Sequence, residues 1–338
     1  MKLFKIISFN LIFLIIFVLI FELFFGYWFS KNNFGIYMRK ERRINWQTNV
    51  NFYGDKYNFF YYRNFWGFRG EEFNPEDVKV IFQGGSTGNQ RFTPENLTVV
   101  GQLNNIFLSK NRNVKIYNAS TDGKSVTGYI NDFLFWFPKI PNFNPEYVIF
   151  FTGINDRFRD ETNENLYNLK IADNSFERLK DYIKNNSFFI DKYITLKNKY
   201  SPKNTLAYDF DNKDLYKEFK YIDYESAKKI HVNKSVDIEK EIKNYKARLA
   251  KLKKIIDQNN FKPIFITQIL YDGLKDENMY FLNEALKEFA KKNNFFLIPL
   301  DEMIKIEIYD HYDIIHTTPI GSKKIADLLF IYLDKFIN

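Results

Sequence analysis

The chain has 338 residues, 49 of them basic and 41 acidic, for a formal charge of +8. That length suits one large domain or one domain with additions, and the small basic excess suits an anionic membrane surface or polymer but is too weak to argue for nucleic acid. Cysteine is absent, which excludes disulfides, thiolate catalysis and cysteine-based metal sites.

Leu3 to Trp28 is the most hydrophobic segment, interrupted mainly by Lys5, Ser8, Asn10 and Glu22. About 20 helical residues span a bilayer core of about 30 Å, so residues 1–30 read as an N-terminal transmembrane helix. A cleaved signal peptide needs small residues at its cleavage site. Here the apolar run leads into Phe24-Phe25-Gly26-Tyr27-Trp28, an interfacial aromatic belt that favours an uncleaved signal anchor. Lys2 and Lys5 favour a cytoplasmic N-terminus, whereas Arg39, Lys40, Arg42 and Arg43 pull the other way or lie against anionic headgroups. Charge alone leaves the orientation open.

Residues 31–76 form a juxtamembrane lead-in, polar and aromatic from Ile44 to Pro75 with no clear period. Tyr61 to Gly70 is expected to pack on the outside of the main domain, residues 77–338. That domain opens on Val78 to Gln90, where an apolar run ends abruptly in Gly84, Gly85 and Ser86. The run reads as a buried parallel strand, and the glycines permit a tight exit that a Cβ would resist. A helix from about Pro94 to Ser109 precedes a second strand, Val114 to Ala119. Further strands are expected at Tyr147 to Thr152, Pro263 to Ile269 and Phe295 to Leu300. Helical stretches lie at Ile238 to Asp257, Glu277 to Lys292 and Gly321 to Phe336, the second with apolar residues at helical spacing. Strands alternating with helices predict a parallel sheet covered on both faces. Glu161 to Val236 breaks the alternation with a Ser201-Pro202 break and an acidic patch at Asp209 to Asp214. It is either a surface insertion or a cap over the strand ends.

Three polar clusters fall after predicted strands or near the C-terminus. They are Asn118 to Ser125, Thr152-Gly153-Ile154-Asn155-Asp156, and Asp313-Ile314-Ile315-His316-Thr317-Thr318-Pro319. In an open α/β sheet, ligands bind at the carboxyl ends of the strands. Together with Ser86, these clusters make a complete set for acyl transfer. A serine hydroxyl is a poor nucleophile without a base. His316 can take the Ser86 proton, and Asp313, three residues earlier, can fix the imidazole through Nδ1. The backbone N–H groups of Ser86 and Gly123 and the side-chain amide of Asn155 can hold an oxyanion. His231, His311 and His316 are the three histidines. His231 lies in the irregular insertion, and His311 lacks an acidic residue at the same spacing and is expected at the surface or rim. No metal site is expected, because no His-x-x-x-His spacing occurs. No Gly-x-Gly-x-x-Gly follows the first strand, which argues against a cofactor binder, and no cofactor is expected. The basic run Lys251 to Lys254 reads as a solvated helix face.

In order, Ser86, Gly123, Asn155 and His316 resemble the four namesake residues of the SGNH hydrolases, the GDSL-type esterases and lipases. The resemblance covers about Val78 to Leu333 outside the insertion. It is strongest in Gly-Gly-Ser86-Thr, Gly153-Ile-Asn155-Asp156 and Asp313-x-x-His316-x-x-Pro-x-Gly. It implies a three-layer α/β/α sandwich with a flavodoxin-like parallel sheet, with Ser86 as nucleophile, His316 as base and Asp313 as its partner. It likewise implies an oxyanion hole built from Ser86, Gly123 and Asn155. The sequence departs from the family at Gly85, where Asp is common. Anchored members commonly place the catalytic domain outside the cytoplasm and act on O-acyl groups of surface glycans. The implied partners are an acylated carbohydrate or another ester, and the membrane through the N-terminal helix. An O-acyltransferase on the same residues, served by a membrane acyl-donor partner, is the alternative, as is a catalytically silent glycan-binding or assembly protein.

Overall fold

The computed structural model describes residues 2–26, 28, 29, 45–157, 175–190, 192, 193, 196, 206–210, 217 and 219–337. It begins with α1, Lys2–Phe25, of which Phe4–Phe25 is long and apolar enough to cross a membrane. Its apolar side chains are exposed along its length. The basic cluster Arg39, Lys40, Arg42 and Arg43 lies outside the described residues, as do the Ser201-Pro202 break and residues 211–214 of the acidic patch.

The lead-in folds as an antiparallel hairpin of β1, Asn45–Phe52, and β2, Asp55–Tyr62. Its two linking residues, Tyr53 and Gly54, both take positive φ, 55° and 105°, as tight two-residue hairpins require. The stretch from Tyr61 to Gly70, expected outside the domain, is built into it instead. Phe68 is fully buried among Phe73, Trp136, Phe137 and Phe143, with ring centroids 4.9 to 6.0 Å away. Arg63 is buried too and donates to the Ser120 carbonyl at 3.0 Å, while the Arg69 N–H reaches the Asn118 carbonyl at 2.9 Å. These partners are distant in sequence, so no local period announces them.

β3, Val80–Gly84, β4, Ile116–Asn118, and β5, Tyr147–Phe151, run parallel. β6, Leu206–Phe210, comes from the insertion and pairs parallel with β1. β7, Lys262–Ile266, and β8, Phe296–Ile298, complete the main sheet, again parallel. The main sheet has the order β4-β3-β5-β7-β8, which is the flavodoxin-like doubly wound arrangement. The central strands β3 and β5 are buried throughout, as strands covered on both faces must be.

The helices are α2, Val99–Ser109, α3, Val126–Asn131, α4, Ser175–Asn186, and α5, Tyr224–Ile230. After them come α6, Val236–Asn259, α7, Glu277–Lys292, and α8, Pro319–Phe336. α2 packs against α8, whereas α6 packs against both α3 and α7. Right-handed crossovers put these two groups on opposite faces, giving the three-layer α/β/α sandwich. The chain reverses direction across the sheet at β3, so the exit of that strand is the topological switch point where such sheets bind ligands.

If Tyr61 to Gly70 belongs to the core, Phe68→Ala should cost about 3–5 kcal/mol. Thermal unfolding of the variant should show a clear fall in midpoint. An unchanged midpoint would return the segment to the surface.

Candidate active site

β3 ends at Gly84, and Ser86 opens a single helical turn, Ser86–Asn89, that closes at Gln90. Ser86 is half-buried. Neither Gly84 nor Gly85 has a positive φ, so space rather than dihedral freedom demands glycine here. A Cβ on Gly84 would stand 3.1 Å from Ser120 Oγ and 3.2 Å from Gly88 Cα. On Gly85 it would stand 1.9 Å from Asn155 Nδ2. The Asn155 amide therefore lies directly over the peptide that precedes Ser86. The Asp that the family resemblance leads one to look for at position 85 has no room while Asn155 stays where it is.

Gln90, which sequence reasoning left unremarked, holds this turn to the rest of the site. Its N–H donates to the Ser86 carbonyl at 2.7 Å. Its side-chain Nε2 donates to Thr317 Oγ1 at 2.9 Å and Ser322 Oγ at 2.6 Å, and its Oε1 accepts from the Val99 N–H at 2.7 Å. One buried amide thus joins the Ser86 turn, the start of α2, the residue after His316 and the first turn of α8. A glutamine in a polar loop carries no local signal of such a role.

Asn155 sits in the short turn Ile154–Asp156 after β5. Gly153, at φ 129°, makes that turn possible, since a side chain strongly resists this region. Asn155 Nδ2 donates one hydrogen to the Lys124 carbonyl at 3.0 Å. Asp156 is buried and accepts from Arg248 Nε at 2.9 Å and the Val126 N–H at 3.2 Å. Gly123 is exposed at φ 74°. It is brought beside Asn155 through its neighbour Lys124 and toward the Ser86 turn through Thr121, whose N–H donates to the Gly84 carbonyl at 3.1 Å. The Lys124 side chain turns inward, donating to the Ala119 carbonyl at 2.8 Å and pairing with buried Asp132.

Asp313 and His316 meet as their spacing suggests. Asp313 Oδ2 accepts from His316 Nδ1 at 2.7 Å, and Oδ1 accepts the N–H groups of Ile315 and His316 at 2.8 and 2.7 Å. Burial alone would raise the Asp313 carboxyl. The His316 hydrogen bond and charge, with the two backbone donors, outweigh it and keep the group below its ordinary 3.8. With Nδ1 donating to a carboxylate, neutral His316 keeps a lone pair on Nε2. Tyr312 stacks on the imidazole at 5.6 Å and 10°. It is itself buried among Phe52 of β1, Phe210 of β6 and Phe92. The insertion therefore reaches the His316 loop through β6, while the residues just after its α4, Ser187 and Phe188, meet the end of α1.

The other histidines stand apart from this arrangement. His231 donates from Nε2 to the Leu274 carbonyl, 3.0 Å away. His311 is buried, not at the rim as its lack of an acidic partner suggested, because it lies in an isolated bridge with Thr317 beneath the loop. Among the described residues, no three His, Cys, Asp or Glu side chains gather as a metal site would require.

No protein-family model matches the chain, and no curated protein sequence matches it. Solved structures do resemble it in shape. The acetyl xylan esterase AlAXEase is 16% identical, with 76% of this chain and 100% of that chain covered and a TM-score of 0.43. TesA is 11% identical over 77% of this chain and 99% of its own, at 0.46. A member of the lipolytic protein G-D-S-L family from Veillonella parvula is 14% identical over 76% and 99%, at 0.41. Likenesses at this level leave the activity to be read from the residues themselves.

Burial holds the His311 imidazole at a pKa of about 3, against an ordinary 6.5. Below pH 6.5 the unfolded chain takes up a proton that the folded chain refuses until near pH 3. Stability should therefore fall as pH drops through that window, with a slope approaching about 1.4 kcal/mol per pH unit. In His311→Gln, midpoints measured between about pH 6 and about pH 4 should depend less on pH. An unchanged slope would mean that His311 titrates normally.

Proposed function

We propose that this chain is a membrane-anchored serine esterase that hydrolyses an O-acyl ester, an acetyl group on a cell-surface carbohydrate being the substrate class the family resemblance favours. The observation that carries the proposal is the Asp313–His316 hydrogen bond at 2.7 Å, on a loop that Gln90 ties to the Ser86 turn. A carboxylate on Nδ1 suits Nε2 to act as a base toward the serine at the switch point of the doubly wound sheet.

In this reading the Ser86 hydroxyl attacks the ester carbonyl carbon and its proton passes to His316 Nε2. The oxyanion that forms accepts from Asn155 Nδ2 and from the Ser86 and Gly123 N–H groups. Collapse breaks the bond to the alcohol oxygen, which leaves with the proton from His316. Water then adds to the acyl-Ser86 with His316 again as base, and collapse releases the acid. Asp313 stabilises the imidazolium in both halves. α1 keeps the domain at the membrane, with the site outside the cytoplasm.

Ser86→Ala should abolish turnover of a short-chain aryl ester and labelling by a fluorophosphonate, with the unfolding midpoint retained. Undiminished turnover would reject Ser86 as nucleophile. Asn155→Ala should lower turnover about 10²- to 10³-fold. Gly85→Ala should fall in the same range, because its methyl takes the space of the Asn155 amide; full activity in that variant would dissociate Asn155 from the reaction.

A further inference from the structure

The apolar surface of α1 does not end where the helix ends. Glu22, in its last turns, is capped by the insertion. Its Oε1 accepts from Ser187 Oγ at 2.5 Å and the Phe189 N–H at 3.1 Å. Its Oε2 accepts from the Phe188 N–H at 2.9 Å and Trp28 Nε1 at 3.1 Å. Phe188 packs its ring on Phe21 and Phe25 at 6.1 and 5.7 Å, and Tyr182 meets Trp28 at 5.7 Å. The carboxylate of an otherwise apolar helix is thereby satisfied by one particular segment, which fixes the end of α4 at the exit of α1.

α4 carries an apolar stripe that no part of the described protein covers. Phe176, Leu179 and Ile183 follow one helical face and are 74, 55 and 40% exposed. Phe189, Tyr193 and Leu196 extend exposed apolar surface beyond the helix. By contrast α7 and α8 bury theirs. Lys180 and Lys192 are exposed beside these residues, and Lys192 Nζ lies 5.4 Å from the Phe188 ring. Apolar residues continuous with a membrane helix, with lysines at their margin, are what a helix lying in the headgroup layer presents.

We propose that α4 and the described residues after it, 187–190, 192, 193 and 196, are a second membrane contact, lying flat in the anionic interface of the bilayer that α1 crosses. The inference rests on α1 being the anchor. Two contacts at one edge fix the tilt of the catalytic domain over the lipid surface, where a single helix would leave it free to swing.

Because the chain has no cysteine, single labels can be placed cleanly. Full-length Leu179→Cys, Leu14→Cys and Lys254→Cys, each carrying an environment-sensitive fluorophore, are reconstituted in vesicles of phosphatidylcholine and phosphatidylglycerol. Position 179 should lose most of its emission to a nitroxide on the lipid headgroup and be shielded from a water-borne quencher, whereas position 254 should do the reverse. Position 14 should respond to a nitroxide deep in the acyl chains. If 14 responds and 179 stays as open to water as 254, the second contact is refuted while the anchor stands. Shielding of 179 from water without quenching from lipid would assign the stripe to a second copy of the chain and also refute it. No response at 14 would remove the anchor itself.

Discussion

The arrangement of the candidate site depends on one buried ion pair, Asp156 with Arg248, whose side chains are 1 and 3% exposed. Such a pair gains little net stability over apolar residues of the same size, because both charges leave water. Here the desolvation is offset by bonds that use most of the carboxylate. Arg248 reaches from the middle of α6, the Val126 N–H comes from the first turn of α3, and Thr152 Oγ1 adds a contact at 3.5 Å. The Arg248 guanidinium also reaches the Asp156 carbonyl at 3.3 Å. The residue beside Asn155 is thereby pinned to two helices of one layer. Losing either partner would strand an uncompensated charge, at about 3–5 kcal/mol, and free the turn that aims the amide.

The His316 side of the site is organised by packing instead. Tyr312 lies between the imidazole and a cluster formed by Phe52, Phe92 and Phe210. Two of those rings come from β1 and β6, strands of the small sheet built by the lead-in and the insertion. Segments that seem peripheral along the chain therefore back the loop that carries His316. Tyr53 adds to this by donating its hydroxyl to the His311 carbonyl at 2.6 Å. Polar clamps fix the Asn155 half of the site, and aromatic rings join hydrogen bonds such as Gln90 to Thr317 in fixing the other.

What could be read from the sequence was what depends on near neighbours. The five strands of the main sheet were legible because buried parallel strands are continuous apolar runs, and each fell within a few residues of its expected place. The Asp313–His316 contact was legible because three residues along a tight loop bring the carboxylate to Nδ1. The solvated face at Lys251 and Lys254 was legible from its charge, and both are exposed. The lead-in was not. Phe68 and Arg63 are buried by residues 5 to more than 70 positions away, and β1 pairs with a strand of the insertion. Nothing in a polar, aromatic stretch without a period encodes such partners. Gln90 escaped notice for the same reason, since its value lies in Thr317 and Ser322. His311 was misplaced because the absence of an acidic residue three positions before it says nothing about what covers a ring.

The contact between position 85 and the Asn155 amide also limits the history open to this chain. Two residues that compete for one volume cannot drift separately, because a change at the first is acceptable only after the second has moved. Their effects must be strongly non-additive. The clashing atom is the tip of the Asn155 side chain, so a side chain after Gly84 can be taken up by turning that amide away from the Lys124 carbonyl, without rebuilding the turn after β5. What position 85 controls is therefore the angle at which the Asn155 amide stands, not whether the asparagine can be kept.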